Sequence, residues 1–305
     1  MKISQIITEA AKPFPSLEIV PPLKGISKKE LLDNIRPFVE FNPPYINVTS
    51  HRDEIEFFPK SDGSFERRSV RRRISETAVC GAIQSEFDIE VVPHLICGGA
   101  NAQQIENMLQ DFKFLGIENI LALRGDCLTG EKRFSPEPGG YRYASELVSA
   151  VKAFNPDAFC IGVGAYPEKH FEAANIETDV LNLKKKVDAG ADYIVTQMFY
   201  DNKVFYDFVD RCRAAGINVP IVPGLKPVST VNHINQLPEA FSIVIPVELT
   251  SEISRFSSDK AAVYQIGQEW CLNQCKDLLA HGYKSVHFYT MGKAANVIGI
   301  LRECF

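Results

Sequence analysis

Apolar residues in this chain gather in short runs rich in β-branched side chains, separated by longer stretches with helical spacing. Eight such runs are candidate strands: Leu17–Pro22, Tyr45–Ser50, Glu90–Cys97, Asn119–Asp126, Ala158–Pro167, Asp192–Tyr200, Pro220–Pro227 and Ser285–Met291. Most are almost continuously apolar, as parallel strands covered on both faces require. Among the helical patterns, Ser27–Phe41 opens on a serine cap with Glu30 three residues on, a capping box. Ala102–Leu115 stops at Gly116, Asn175–Ala189 at Gly190 and Lys203–Ala215 at Gly216. The interval before the last strand is the longest and predicts extra helices, Asp259–Ala280 among them; the first dozen residues predict a short amphipathic helix. Eight strand-then-helix units predict an α/β fold of the TIM (β/α)8 barrel type. The alternative, an open doubly wound sheet, needs a glycine-rich first turn, whereas the first strand runs into Val-Pro-Pro-Leu-Lys-Gly. The units fill the chain, so residues 1–305 are expected to form a single barrel domain without a further large domain.

Composition removes several function classes. The 305 residues carry 33 basic and 38 acidic side chains, a net charge of −5, which gives no case for nucleic acid or an anionic membrane as partner. No apolar run approaches the roughly 20 residues that span a bilayer. Glu9 and Lys12 interrupt the stretch where a signal peptide would be apolar, so the cytoplasm is the expected compartment. Eight scattered cysteines are too sparse for a disulfide scaffold; Cys271 and Cys275 share a helix face and are expected in the core, and no metal site is expected. The Glu66–Arg73 run, dense in arginine, reads as a solvated helix face or a subunit contact, and the chain is expected to be a homo-oligomer.

A barrel gathers its chemistry at the C-terminal ends of its strands. Each predicted strand carries polar residues there: Glu18, Thr49, His94, Arg124 to Asp126, Tyr166, Thr196 with Gln197, Lys226, and His287 with Tyr289 and Thr290. Glu18 stands out, a carboxylate among Leu17, Ile19 and Val20. Such a group either pairs, for instance with Arg124, or gains a raised pKa that suits a proton donor. Gly125 permits close backbone approach to a ligand, and Arg124 and Asp126 fit either a ligand contact or a salt bridge at the loop mouth. His94, alone on an apolar strand, reads as a satisfied core histidine before a metal ligand. Tyr166 and His170 offer a stacking ring and an imidazole. Lys184 to Lys186 read as a solvated surface or a phosphate contact.

The joint order of these segments resembles the methylenetetrahydrofolate reductase family of the bacterial type, from about Ser16 to Lys293. The carrying segments are Leu-Glu-Ile-Val-Pro-Pro (17–22), Asn-Val-Thr (47–49), His-Leu-Ile-Cys (94–97), Leu-Arg-Gly-Asp (123–126) and Tyr-Ala-Ser-Glu-Leu-Val (143–148). They continue with Ala-Tyr-Pro-Glu-Lys-His (165–170), Asp179, the stretch from Asn182 to Asp192, Val-Thr-Gln-Met-Phe-Tyr-Asp (195–201), Pro-Gly-Leu-Lys-Pro (223–227) and His-Phe-Tyr-Thr (287–290). The resemblance implies a TIM-barrel flavoprotein that reduces 5,10-methylenetetrahydrofolate to 5-methyltetrahydrofolate, with NADH or NADPH as electron source and FAD as carrier, feeding methionine synthesis.

It also implies roles. Glu18 matches the acid that opens the five-membered ring to an iminium, and Asp126 matches the aspartate beside flavin and pterin. Thr49, His94, Arg124, Gly125, Asp126, Tyr143, Ala144, Tyr166, His170, Asp179, Asn182, Lys185 and Lys186 match positions that hold FAD. Gln197 matches a contact to both folate and nicotinamide, and Lys293 stands where relatives grip substrate with arginine. There are departures: Ser50 to Glu54 replaces a glycine-rich loop, and His233 and Leu237 stand where glutamine and phenylalanine are common. Two competing classes share the barrel, a flavin-free pterin methyltransferase and a non-catalytic folate-binding subunit. The Asp179, Asn182 and Lys186 set speaks for a dinucleotide.

Overall fold

The computed structural model describes residues 1–128, 131, 133–290 and 295–305. In chain order it contains α1 (Ile3–Glu9), β1 (Phe14–Ile19), α2 (Lys28–Val39), β2 (Tyr45–Val48), β3 (Glu54–Pro59), β4 (Phe65–Val70), α3 (Glu76–Gln84), β5 (Glu90–Ile96), α4 (Ala102–Phe114), β6 (Asn119–Leu123) and α5 (Ala144–Phe154). There follow β7 (Cys160–Ala165), α6 (Ile176–Asp188), β8 (Tyr193–Met198), α7 (Asn202–Ala214), β9 (Ile221–Leu225), α8 (His233–Phe241), α9 (Val247–Arg255), α10 (Lys260–Ala280), β10 (Ser285–Phe288) and α11 (Ala295–Cys304). Eight strands close into a parallel barrel in the order β1-β10-β9-β8-β7-β6-β5-β2, as the eight apolar runs predict. Several strands are shorter than their apolar runs: Val20 to Pro22 leave β1 as loop.

Local chemistry accounts for the elements. Ser27 caps α2 by accepting from the Glu30 N–H, and Asn101 with Gln104 forms a full capping box on α4. Gly190, at φ +115°, ends the α6 segment in a conformation that side chains disfavour. Alternation along each strand sorts side chains into two layers. Leu17 and Ile19 pack outward with Leu31, Leu32 and Ile35 of α2, in the large core between strands and helices. The opposite set, including Tyr45, Val92, Leu121, Tyr193 and Val222, fills the barrel interior. Ile3 of α1 is fully buried in that interior cluster, so α1 stoppers the N-terminal end. Its backbone N–H donates to Asn119 Oδ1 at 2.9 Å, tying the helix to the foot of β6.

One expectation is corrected. The Glu66–Arg73 run is neither helical nor a helix face: Phe65–Val70 is the return strand of an antiparallel hairpin with β3. Its turn is closed by Lys60 N–H donating to the Ser64 carbonyl at 2.8 Å. Glu56 stands opposite Arg68 and is also bonded by Arg72, which supports a strand in solvent where a helix would need an apolar stripe. Arg73 then forms a bridge with Leu23, joining the hairpin to the β1–α2 loop. Cys271 and Cys275 are buried on α10, as expected. Among the described residues no helix is long and apolar enough to cross a membrane.

Candidate active site

The inward alternation of the strands carries Ser16, Glu18, Asn47, Thr49, His94, Tyr166, Gln197, Lys226, His287 and Tyr289 toward the barrel axis or its mouth. Glu18 is buried, at 7% exposure. Burial pushes its carboxyl up to about 7, against the opposing pull of the Lys226 ammonium. Lys226 follows β9 and is itself buried. Strand register places Leu17 beside Phe288 and Phe288 beside Leu225, so the next rung sets Glu18, Tyr289 and Lys226 side by side. The Tyr289 hydroxyl donates to the Thr196 carbonyl at 2.7 Å, and Thr290 Oγ1 donates to the Glu18 carbonyl at 2.6 Å. Glu18 is thus fixed by its backbone while its carboxyl sits in an apolar, lysine-tempered setting. The structural pairing of Glu18 with Arg124 is not formed, because Arg124 is bonded to Glu172 instead.

Beneath Glu18 lies a polar layer. Ser16 Oγ and His287 Nδ1 are 2.6 Å apart. Burial lowers both His287 and His94 to about 3, so both imidazoles are neutral. His94 Nε2 and both side-chain atoms of Asn47 are buried without a hydrogen-bond partner. Unpartnered polar atoms in a barrel core call for water or a ligand group.

The second half of the mouth is cationic. Arg124, directly after β6, lies with its Nη2 3.4 Å from His170 Nε2. Tyr166 stacks edge-on against His170 at 4.7 Å. The backbone N–H of His170 donates to Asp179 Oδ2 at 2.9 Å, which ties the loop after β7 to the first turn of α6. Lys186 points inward from α6: its ammonium donates to the Gly164 carbonyl at 2.8 Å, and burial lowers its pKa to about 8 against the influence of Asp179. Lys185 bonds Asn182 Oδ1 at 3.0 Å on a more exposed side, and Lys184 pairs with Asp188. Of this lysine run, Lys186 alone turns its ammonium inward, while Lys185 stays exposed beside Asn182 and Lys184 lies on the helix surface. Gly125 has φ +82°, and a Cβ there would sit 3.3 Å from Ile96, so the turn after β6 is held open by the absent side chain.

The remaining predicted residues fall around this rim. Thr49 Oγ1 lies 3.5 Å from His51 Nδ1 at the end of β2. Asp126 is exposed, within electrostatic reach of His51. Exposed Tyr143 precedes α5 and buried Ala144 begins it, and Glu146 accepts from the Tyr143 backbone N–H at 3.3 Å. Gln197 accepts the Met198 N–H at 3.0 Å and lines a shallow crevice shared with Tyr166, Glu168, Phe241 and Ile243. Lys293 lies outside the described residues. Three residues at the mouth escape a reading of the sequence. Glu168 is raised by burial to about 7 while accepting from Val244 N–H. Arg52 is half-buried, with little of its side chain exposed, and Phe134 lies under two guanidiniums. The signals were faint: Glu168 sits inside Tyr-Pro-Glu-Lys-His, where Lys169 adopts φ +101°, a strained value that points to a constrained site.

A closed parallel barrel with a buried acid on one side of its C-terminal mouth and a cationic cleft on the other defines a (β/α)8 barrel of the enzyme type. A family model described as methylenetetrahydrofolate reductase matches residues 2–304, and the chain belongs to that family. It is 33% identical over 304 residues to methylenetetrahydrofolate reductase (NADH) 1 of Arabidopsis thaliana, covering 97% of this chain and 49% of that protein. It is 32% identical over 279 residues to 5,10-methylenetetrahydrofolate reductase of Escherichia coli strain K12, covering 92% of this chain and 86% of that protein. The chain spans about half the length of the plant relatives it matches. Among solved structures, a Clostridium thermocellum protein described as binding two copies of 5-methyl-5,6,7,8-tetrahydrofolic acid superposes with a TM-score of 0.59. That match has 14% identity and covers 99% of this chain and 98% of that one; it shares the fold.

Proposed function

We propose that this chain, acting as one catalytic barrel over residues 1–305, reduces 5,10-methylenetetrahydrofolate to 5-methyltetrahydrofolate in a ping-pong sequence with NADH or NADPH. The observation that carries the reading is Glu18: a buried carboxyl on β1, poised near neutrality, at the mouth of a barrel of this family.

The residues of the cationic cleft fit a flavin dinucleotide. Arg124 and the inward-pointing Lys186 supply positive charge for a diphosphate, the open turn at Gly125 admits backbone approach, and unpartnered His94 Nε2 offers a polar contact to a ring. Thr49, Tyr143, Ala144, Tyr166, His170, Asp179, Asn182 and Lys185 complete the set that would hold FAD. When bound, FAD supplies hydride carriage between the pyridine nucleotide and the folate.

The chain's own residues do the rest. Glu18 donates its proton to the amine that leaves when the five-membered ring opens. Its pKa near 7 keeps a useful fraction protonated at neutral pH and leaves an anion that is readily reprotonated. Asp126 places a carboxylate where the iminium cation develops. Gln197, at the end of β8, orients both the folate and the nicotinamide, and Lys293 grips the substrate.

Glu18→Gln tests this. NADH should still bleach the flavin of the variant, while methylenetetrahydrofolate should reoxidise it at least roughly a hundredfold more slowly than wild type. Loss of both half-reactions would assign Glu18 a structural role. A colourless protein that takes up no added FAD would sink the flavin reading.

A further inference from the structure

Arg52 has no role in the reading above, yet it is among the most constrained cations of the molecule. It follows the end of β2 by a few residues and leaves only 9% of its side chain exposed. Its stem lies across Gly98 and Gly99, the pair that follows β5. A Cβ on Gly98 would come 2.8 Å from Arg52 Cδ, so the bare glycine makes room for the arginine. Nη2 donates to Glu137 Oε1 at 3.0 Å. Nε and Nη1 are sealed from solvent and have no partner.

A guanidinium carries its charge at any physiological pH and cannot escape burial by losing a proton. One carboxylate at one nitrogen leaves the rest of the group desolvated and uncompensated, a costly arrangement unless an acceptor arrives. The surroundings say what kind. The Arg52 guanidinium lies 5.8 Å from the centre of the Phe134 ring, and that of Arg124 lies 5.1 Å from the same centre. Two like charges thus converge on one aromatic side chain at the mouth, on the side of β5 and β6. Arg124 is likewise held by a single carboxylate, that of Glu172. Paired, partly exposed acids are modest holders and can yield to a more highly charged group. Phosphate oxygens match guanidinium geometry and charge better than a lone carboxylate does.

We propose that Arg52 and Arg124 form a two-arginine clamp for the diphosphate of the dinucleotide cofactor, with Glu137 and Glu172 holding the arginines until the phosphates displace them. The proposal rests on the flavin reading, and commits to the cofactor as source of the anion. Arg52 comes from the β2 loop and Arg124 from the end of β6. The clamp therefore joins two sides of the mouth through the ligand, with the Phe134 ring as the shared platform.

The test is a titration of the full chain, stripped of flavin, with FAD and with riboflavin, followed by quenching of flavin fluorescence. Arg52→Met should weaken FAD roughly ten- to a hundredfold, the loss of one or two charge-assisted hydrogen bonds, and leave riboflavin, which has no phosphate, unchanged. Arg52→Lys should recover part of the loss. Glu137→Gln should tighten FAD severalfold, since the competing acid is gone, and this variant decides the matter should Arg52→Met fail to fold. Unchanged FAD affinity in Arg52→Met or in Glu137→Gln overturns the clamp, whatever happens to NADH or NADPH. An equal loss for riboflavin also overturns it, by placing Arg52 at the ring or in the fold. Wild type that binds riboflavin and FAD equally well removes the clamp but keeps the flavin; wild type that binds neither removes the flavin reading itself.

Discussion

Glu18 combines two demands that pull against each other. As the proposed proton donor it needs a desolvated setting; as a side chain in a folded barrel it is destabilised by that same setting whenever it ionises. Its folded pKa of about 7 stands above its ordinary value of 4.5, so the proton is bound more tightly in the folded state. The stabilisation is fully present below pH 4.5 and is lost as pH rises through 7. The difference amounts to about 3 kcal/mol across that window. Glu18→Gln, which does not titrate, should therefore match wild type in urea unfolding near pH 4.5 and exceed it by about that amount near pH 8.5. A gap that is constant with pH would mean that folding leaves the Glu18 carboxyl at its ordinary pKa. The sequence alone displayed this residue clearly, because a carboxylate among Leu17, Ile19 and Val20 breaks an otherwise apolar run. Arg52 was illegible by comparison. Its burial is made by Gly98, Gly99, Phe134 and Glu137, all distant along the chain, and no local pattern announces a tertiary enclosure of that kind.

Among the elements, the eight barrel strands were legible because each is buried on both faces and so reads as an apolar run, and the helices because caps and glycine stops punctuate them. The β3–β4 hairpin was hidden for the opposite reason. Phe57 and Phe65 are both well exposed, and the pair is held by cross-strand charges that resemble a solvated helix. Its only local marker was the Ser61-Asp62-Gly63 turn. A different contact controls the mouth from behind. Helix α10 packs Gly267 against the loop after β9, where a Cβ would lie 1.8 Å from the Val228 carbonyl oxygen. Backbone cannot yield as a flexible side chain can, so Gly267→Ala should cost about 3 kcal/mol or more. The displaced loop carries Lys226. Chemical denaturation would report the loss, and a midpoint within experimental error of wild type would show that α10 can slide without penalty.

At the scale of the whole molecule, the barrel is finished at its base by α1. Ile3 is fully buried against Tyr45, Val92 and Leu121, and its backbone N–H is held by Asn119. Ile3→Ala should cost about 2–5 kcal/mol by emptying that position. The transition temperature should fall by several degrees without altering affinity for the proposed flavin, because the substitution lies at the end away from the mouth. Calorimetry and a flavin titration on the same sample would check both halves of the statement. Stoppering has a consequence for traffic. With the base closed by α1 and the interior filled by side chains, whatever binds at the mouth must depart by the route it came. Two bulky visitors that need the same surface cannot pass each other there. Under the proposed reading such visitors take turns at the mouth, and the rate at which a spent guest vacates it sets a ceiling on how fast the next can be served.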